Sequence, residues 1–123
     1  MYDSDINVFL EGVRTFDTGA TRSPVGNKLE YSRFFDSRVM KRFAEYMHRH
    51  RKQTNNVLRE PDNWKMGIDK ASYCESLHRH YHDIWLWSQG YESEMSEELM
   101  ESLCAIHFNV HGLMYELLKE ERK

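Results

Sequence analysis

Three stretches of the chain repeat apolar residues at the spacing of an α-helix. The first stretch begins at Asp36 or Ser37, either of which can cap a helix, and runs to about Gln53. Its apolar positions recur at i, i+3, i+4 and i+7. These positions are Met40, Phe43, Ala44 and Met47.

The second stretch predicts a helix from Lys70 to about Ser88, capped by Asp69 and stopped by Gly90. Its apolar stripe consists of Tyr73, Leu77, Tyr81, Ile84 and Trp87. Three histidines alternate within it, as they would on one face of a strand. The helical period continues for about four turns, however, which favours the helix. In a helix the alternation is lost, and His80 lies in the stripe with Asp83 at its edge.

The third stretch opens at Ser93 or Ser96 and continues to Leu118 or beyond. Its main apolar stripe is formed by Leu99, Leu103, Ile106, Val110, Leu113 and Leu117. A second strip of small or polar residues contains Ser102, Ala105, Asn109, Gly112 and Glu116, and a further apolar patch contains Cys104, Phe108 and Tyr115. A helix that is apolar on two sides needs two partners, so we expect a homodimer or homotetramer.

These patterns predict an all-α fold, a helical bundle over residues 36–123 preceded by an irregular segment over residues 1–35. The segment "DTGATRSPVGNK" is rich in turn-forming residues and is typical of a loop. We expect this N-terminal segment to contact substrate rather than to contribute long regular structure.

Composition narrows the classes of function. The chain has 123 residues, 40% hydrophobic and 30% charged, which suits one globular domain. A net charge of −3 argues against nucleic-acid binding. No apolar run reaches the roughly 20 residues of a membrane span, and the acidic N-terminus does not resemble a signal peptide. We therefore expect a cytoplasmic protein in which Cys74 and Cys104 are buried, reduced thiols.

Two polar pairs lie beside the predicted apolar stripes: Glu45-x-x-His48 and His80-x-x-Asp83. The i, i+3 spacing puts both members of each pair on one helical face, and two such pairs can converge on a divalent ion. Mixed imidazole and carboxylate ligands tolerate Mn²⁺ as well as Mg²⁺. The alternative is that Glu45 and His48 are solvated, and that His80 is a core histidine bonded to Asp83.

Several other side chains are candidates for the same site. Glu101 is a possible further metal ligand or a plain surface carboxylate. Asn109 is an amide in a strip of small residues, with room for a ligand beside it. Trp64 stands alone in a polar loop, where it either stacks on a base or covers the end of the bundle. The cationic residues that can bind phosphates are Arg22, Lys28, Arg42, Arg51 and Arg79.

Six segments in order resemble a family found largely in phage genomes. They are "DTGATR" (17–22), "KLEY" (28–31), "RFAEYMHRHR" (42–51), "DNWKMGI" (62–68), "SLHRHYHDIWLWSQGY" (76–91) and "SLCAIHFN" (102–109). The family is that of the dATP/dGTP diphosphohydrolase N-terminal domain, which is related to MazG-like all-α nucleoside triphosphate pyrophosphohydrolases. The resemblance implies a MazG-like helical bundle, and it covers most of the chain.

MazG-like enzymes use ExxE on one helix and ExxD on the next to hold Mg²⁺ or Mn²⁺ and to split the α–β phosphate bond. The resemblance places Glu45 and Asp83 as principal ligands, and His48 and His80 as ligands or as groups that orient water. Two of the four family carboxylates are thus histidines here. It further implies triphosphate contacts from Arg22, Lys28 and Arg79, and base contacts from Trp64 or Asn109.

The expected function is metal-dependent hydrolysis of purine (deoxy)nucleoside triphosphates to monophosphate and pyrophosphate. This activity would serve phage nucleotide metabolism in the cytoplasm of an infected bacterial host. The alternative is a non-catalytic nucleotide-binding protein that sequesters a nucleotide or nucleotide signal. A purely structural interaction protein would explain the two-sided third helix but not the polar pairs.

Overall fold

The protein is all-α, as the sequence predicts. Its computed structural model describes residues 14–15, 17–22 and 28–121. The helices are α1 (Tyr31–Phe34), α2 (Ser37–Arg49), α3 (Lys70–Ser88) and α4 (Leu99–Glu121), with short 3-10 turns at Asn63–Met66 and Glu92–Glu94. Along the described parts of the chain, none of the helices combines the length and apolar character that a membrane crossing requires.

The chain divides into two units, Met1–Asp36 and Ser37–Lys123. In the first unit, strands β1 (Arg14–Thr15) and β2 (Thr21–Arg22) form a minimal antiparallel pair. Gly19, in the turn between them, has a φ of +87°, which an L side chain rarely adopts. Helix α1 also belongs to this unit.

Helix α2 ends at Arg49, earlier than the predicted end near Gln53. The chain turns back instead, and Arg51 and Arg59 face each other across the turn: the backbone N–H of Arg59 donates to the carbonyl oxygen of Arg51 over 2.8 Å. Asn56 lies in the left-handed region at φ +64°, where asparagine is favoured over most other residues. We call residues 51–59 the arginine hairpin.

Helix α3 has the predicted bounds, Lys70–Ser88. The Asp69 side chain caps it by accepting a 2.7 Å hydrogen bond from the backbone N–H of Ser72. Gly90 follows its end with a φ of +85°, as expected of a glycine that terminates a helix.

Helix α4 begins at Leu99, later than either predicted cap, Ser93 or Ser96. A 3-10 turn, Glu92–Glu94, takes up part of the connection. Ser96 does not cap α4, because its hydroxyl and its backbone N–H both donate to Asp83 of α3.

Helix α4 packs along α3 and also contacts α2. The buried core centres on Tyr46 of α2 with Cys104 and Ala105 of α4. Partly buried aromatic and methionine side chains surround it: Phe43, Met47 and Phe108. Of the predicted α2 stripe, Met40 and Ala44 are exposed. The buried residue of α2 is Tyr46, which the prediction did not include. The buried face of α2 therefore lies to one side of the predicted apolar stripe.

The face of α4 that turns inward is mainly the small and polar strip. The buried residues of α4 are Ser102, Ala105, Asn109 and Gly112 of that strip, together with Cys104 of the apolar patch. The main apolar stripe is only partly covered, since Leu103, Val110 and Leu117 are each more than 40% exposed. Helices α2 and α3 therefore do not fully cover this stripe, which is the surface that we expect to need a partner.

Gly112 permits the close approach of α3 and α4. A Cβ atom at this position would lie 2.3 Å from ring atoms of Tyr73, a distance that no real contact tolerates. The Tyr73 ring is almost completely buried there. The strip of small residues thus makes room for an aromatic ring that packs against it from the neighbouring helix.

Both cysteines are free thiols. Cys104 is buried, as predicted, but Cys74 is exposed. The prediction for Cys74 is wrong. Tyr73 of α3 packs against α4, and Cys74, the next residue along the helix, therefore points towards solvent.

Candidate functional site

The polar residues of α3 are held by the chain in and before α4. Asp83 is buried, and its carboxylate accepts hydrogen bonds from the backbone N–H of Ser96 (3.0 Å) and from the Ser96 hydroxyl (2.5 Å). These bonds hold the pKa of the Asp83 carboxyl below its ordinary value. The Nδ1 atom of His80 lies 2.5 Å from a carboxylate oxygen of Glu97, which also accepts a 3.0 Å hydrogen bond from Ser102.

The alternative interpretation of the sequence, in which His80 bonds to Asp83, is therefore wrong. Side chains at i and i+3 of a helix diverge by about 60°, and the connection to α4 supplies a nearer partner for each. Glu97 for His80 and Ser96 for Asp83 both come from a segment that the sequence assigns to the start of the third helix and that the structure places before it.

The pair on α2 is solvated, as the alternative interpretation of the sequence has it. Glu45 and His48 are both exposed. The Nδ1 atom of His48 lies 3.4 Å from the Arg51 guanidinium. His48 thus belongs to the surroundings of the arginine hairpin.

The predicted metal ligands are Glu45, His48, His80, Asp83 and Glu101. Among the described residues no group of three or more histidine, cysteine, aspartate or glutamate side chains could hold a metal ion. The described residues therefore do not fit a Mg²⁺ or Mn²⁺ site, which needs several oxygen ligands around one point. Metal dependence stays a prediction.

Glu101 joins α4 to the end of α2. Its carboxylate accepts a 2.6 Å hydrogen bond from Arg49 and lies 3.8 Å from Nε2 of His50. The hydrogen bond from Arg49 is the largest influence that lowers the pKa of Glu101. The neighbouring Tyr46 has a pKa raised to about 12, by burial and then by the charges of nearby carboxylates, so its hydroxyl is a neutral donor.

Asn109 is also engaged within the bundle. It is 4% exposed, and its amide nitrogen donates to the Ser76 hydroxyl over 3.1 Å and to the Ala105 carbonyl over 2.8 Å. These bonds account for both amide hydrogens. The predicted contact of Asn109 with a base stays untested.

Trp64 lies in the 3-10 turn Asn63–Met66 and packs edge-on against α4. Its ring centroid is 5.0 Å from that of Tyr115, 5.6 Å from that of His111 and 6.2 Å from that of Phe108. Edge-to-face contacts at these distances are favourable and fix the orientation of the indole ring. Trp64 is half-buried, so part of it faces open space.

That space is a cleft of about 390 Å³, which we call the Trp64 cleft. Its lining includes Tyr46, Met47, His50, Trp64 and Phe108, which we call its wall, and the polar residues Arg51, Arg59, Glu60 and Asn63, which we call its rim. A neighbouring hollow of about 350 Å³ shares Met47, Arg51, Trp64 and Phe108 with it and reaches His48 and His111. Volumes of this size are within the range of small-molecule sites.

The arginine hairpin positions the two cations of the rim. Nε of Arg51 donates to the carbonyl oxygen of Arg59 over 2.8 Å, and the Arg59 guanidinium donates to the carbonyl oxygen of His50 over 3.1 Å. Within the part of the chain that the structure describes, neither guanidinium has a carboxylate partner. Each retains N–H groups for an anion, since a guanidinium carries five.

A second and wider cleft, of about 640 Å³, lies on the outer side of α3. It contains the predicted residues Arg79 and Asp83, together with His78, His82 and Trp85. Arg79 is exposed, and no described ion pair neutralises it. Trp64 and Arg79 therefore line different clefts, although both were predicted to contact one nucleotide.

Arg22 and Lys28 belong to the N-terminal unit. Arg22 is in β2, and its side chain lies outside the described residues. Lys28 is exposed. Their predicted contacts with a triphosphate stay predictions.

Three residues of these sites were not predicted from the sequence: Arg59, His50 and Glu97. The signal for Arg59 is weak but present: "TNN" is a turn-forming run, and Arg51 and Arg59 flank it at a spacing that a hairpin brings together. Glu97 carries no such signal, because its bond to His80 depends on the path of the connection between α3 and α4.

Comparisons with known proteins leave the family resemblance as an expectation. The chain matches no family model, no curated protein and no solved structure.

Proposed function

We propose that this protein binds a purine nucleotide in the Trp64 cleft, with the base against the aromatic wall and the phosphates at the arginine hairpin. The observation that carries the proposal is the placement of Arg51 and Arg59, two cations without a described carboxylate partner, beside an aromatic cleft. Guanidinium groups bind phosphate oxygens through paired, charge-assisted hydrogen bonds.

The remaining groups of the cleft suit the other parts of a nucleotide. Aromatic side chains such as Trp64 stack on bases, and each stacked base contributes about 1–3 kcal/mol. Purines present the larger ring surface, in line with the purine preference of the family that the sequence resembles. Glu60 and Asn63 on the rim offer an acceptor and an amide for the edge of the base.

Binding without hydrolysis is the form of the proposal that the geometry favours. The Trp64 cleft has a single carboxylate side chain among its lining residues, that of Glu60, and none of the predicted metal ligands lines it. A protein of this kind sequesters its nucleotide and releases it unchanged.

Hydrolysis of a purine (deoxy)nucleoside triphosphate to monophosphate and pyrophosphate is the second candidate. What favours it is the wider cleft on α3, whose lining includes both Arg79 and Asp83, a carboxyl with a lowered pKa. Because the described residues do not form a metal site, we write no step through Mg²⁺ or Mn²⁺. The localisation in an infected bacterial host remains part of this proposal.

Calorimetric titration with dATP and dGTP tests binding. We expect one nucleotide per chain, and we expect Trp64→Leu to weaken binding by about 10-fold or more, as the loss of one stacking contact implies. Trp87→Leu is the matched control, since Trp87 is a partly exposed tryptophan that lines neither cleft. Equal loss in both variants, or no binding by the wild type, would contradict the proposal.

Product analysis separates the two candidates. The protein is incubated with dATP or dGTP and with Mg²⁺ or Mn²⁺, and the nucleotides are resolved by anion exchange. Intact triphosphate together with measurable binding supports sequestration. Monophosphate and pyrophosphate that disappear in Asp83→Asn would make hydrolysis the function.

A further inference from the structure

Helix α4 carries an exposed apolar face. It consists of Met100, Leu103, Val110, Met114, Leu117 and Leu118, which are between 42% and 58% exposed. Rotation by 100° per residue places these six side chains on one side of the helix, opposite Ala105 and Asn109. We call this surface the α4 apolar face.

The charges of α4 lie away from this face. Between residues 99 and 118 the only charged side chains are Glu101 and Glu116. Glu101 pairs with Arg49 of α2, and the largely buried Glu116 pairs with Lys119. A helix of a monomeric protein normally turns its charges outward and its leucines inward, and α4 does the opposite.

The size of the α4 apolar face matches one side of a stable interface. Six side chains at these exposures hold on the order of 600 Å² of accessible apolar surface, near the about 800 Å² that each partner contributes to a standard interface. Monomeric proteins rarely expose a contiguous apolar patch much above a few hundred Å².

The main apolar stripe of α4 adjoins this face, shares Leu103, Val110 and Leu117 with it, and favours a helix as the occupant. The residues of that stripe, Leu99, Leu103, Ile106, Val110, Leu113 and Leu117, follow one another at alternating steps of four and three residues. This is the repeat by which two helices interlock over several turns. The partner must therefore present an apolar helix of similar length, and α4 is itself such a helix.

We propose that the α4 apolar face is the interface between two copies of this chain. A self-complementary face of this kind closes into a twofold dimer and leaves no apolar stripe uncovered. A lipid surface is a poorer fit, because helices that lie on membranes carry lysine and arginine beside their apolar face, and residues 99–118 contain neither. The proposal does not depend on nucleotide binding.

Light scattering coupled to size exclusion tests this with the full-length chain. We expect the wild type to have twice the chain mass of 14.8 kDa. Val110→Glu and Leu117→Glu should each raise the dimer dissociation constant by about 100-fold or more, because each buries two unpaired carboxylates in the interface. Val57→Glu, at a valine of similar exposure outside the face, should leave the dimer intact.

Circular dichroism confirms that each variant keeps its helices, and two positions are used so that a folding defect at one does not decide the outcome. A wild type that is monomeric up to high micromolar concentration would overturn the proposal. So would a dimer that survives both substitutions with its helices intact.

Discussion

The hydroxyl group of Ser96 determines the surroundings of Asp83. By donating to one carboxylate oxygen while its backbone N–H donates to the other, this serine allows a buried aspartate to remain ionised. The pair also fixes the last part of the connection that leads into α4. At the scale of single residues, Asp83 thus has a structural role whether or not it has a catalytic one.

Replacing Asp83 by Asn should destabilise the fold by roughly 2 kcal/mol, since charge-assisted hydrogen bonds from Ser96 are lost. The folded pKa of Asp83 is lower than its ordinary value, so its contribution is fully present above an unfolded pKa near 4 and is lost as the pH falls through the folded pKa. Urea denaturation of both proteins at pH 7 and at pH 3 measures this. A stability difference of the same size at both pH values would contradict the assignment.

Gly112→Ala should also destabilise the protein, by about 1–3 kcal/mol, because the new methyl group would meet the Tyr73 ring at 2.3 Å. The direction of the change in stability distinguishes this buried position from an exposed one, because in the interior of an exposed helix the same substitution stabilises a protein by up to about 1 kcal/mol. Thermal denaturation that shows Gly112→Ala to be as stable as the wild type would mean that α3 and α4 are further apart than described.

At the scale of elements, the arginine hairpin shows how a loop can carry a site. Its turn needs a residue that accepts a positive φ, and Asn56 fills that position. The hairpin in turn sets where Arg51 and Arg59 point, because the Arg51 guanidinium donates to the carbonyl oxygen of Arg59 and the Arg59 guanidinium donates to that of His50, which directly precedes the hairpin.

Asn56→Val should therefore weaken nucleotide binding without touching the cleft. A β-branched residue in the left-handed region costs about 1–2 kcal/mol, which loosens the hairpin. Hydrogen exchange over residues 51–59 and calorimetric titration with dATP measure the two effects. Asn56→Gly is the matched control and should keep both properties, since glycine adopts this backbone conformation freely. Unchanged affinity in Asn56→Val would separate the hairpin from the site.

The helices of this chain are predictable from its sequence to different degrees. The bounds of α3 follow from local signals at Asp69 and Gly90, which act within one turn of the helix. The end of α2 does not, because residues 50–53 suit a helix and only the hairpin contacts draw them away. Which face of α4 turns inward is also not a local property: it depends on the fit of Tyr73 against Gly112.

The residues of the candidate site are likewise predictable to different degrees. Trp64 is predictable as a candidate, because a lone tryptophan in a polar loop either stacks on a ligand or covers the end of the bundle. The partners of His80 and Asp83 are not, since Glu97 and Ser96 reach them only through the path of the connection before α4. Periodicity places side chains on the faces of helices, but the pairing of those faces is decided by long-range packing.

At the scale of the whole molecule, the Trp64 cleft and the α4 apolar face occupy different sides of α4. The cleft lies where α2 and the Trp64 turn meet the helix, at Phe108, and the apolar face lies across the helix at Val110 and Leu103. A dimer joined through that face would leave the Trp64 cleft of each copy open. We therefore expect two nucleotides per dimer and no requirement for nucleotide in dimer formation.

The central claim is that the arginine hairpin recognises the phosphates of a nucleotide, and one comparison of affinities tests it most directly. Calorimetry gives the dissociation constants of dATP and deoxyadenosine for the wild type and for the double variant Arg51→Gln/Arg59→Gln. We predict that the wild type prefers dATP by about 100-fold, in keeping with charge-assisted hydrogen bonds worth about 1.5–3 kcal/mol each, and that the double variant loses most of this preference while binding deoxyadenosine as before. A preference for dATP that persists in the double variant, or that is absent from the wild type, would contradict the account.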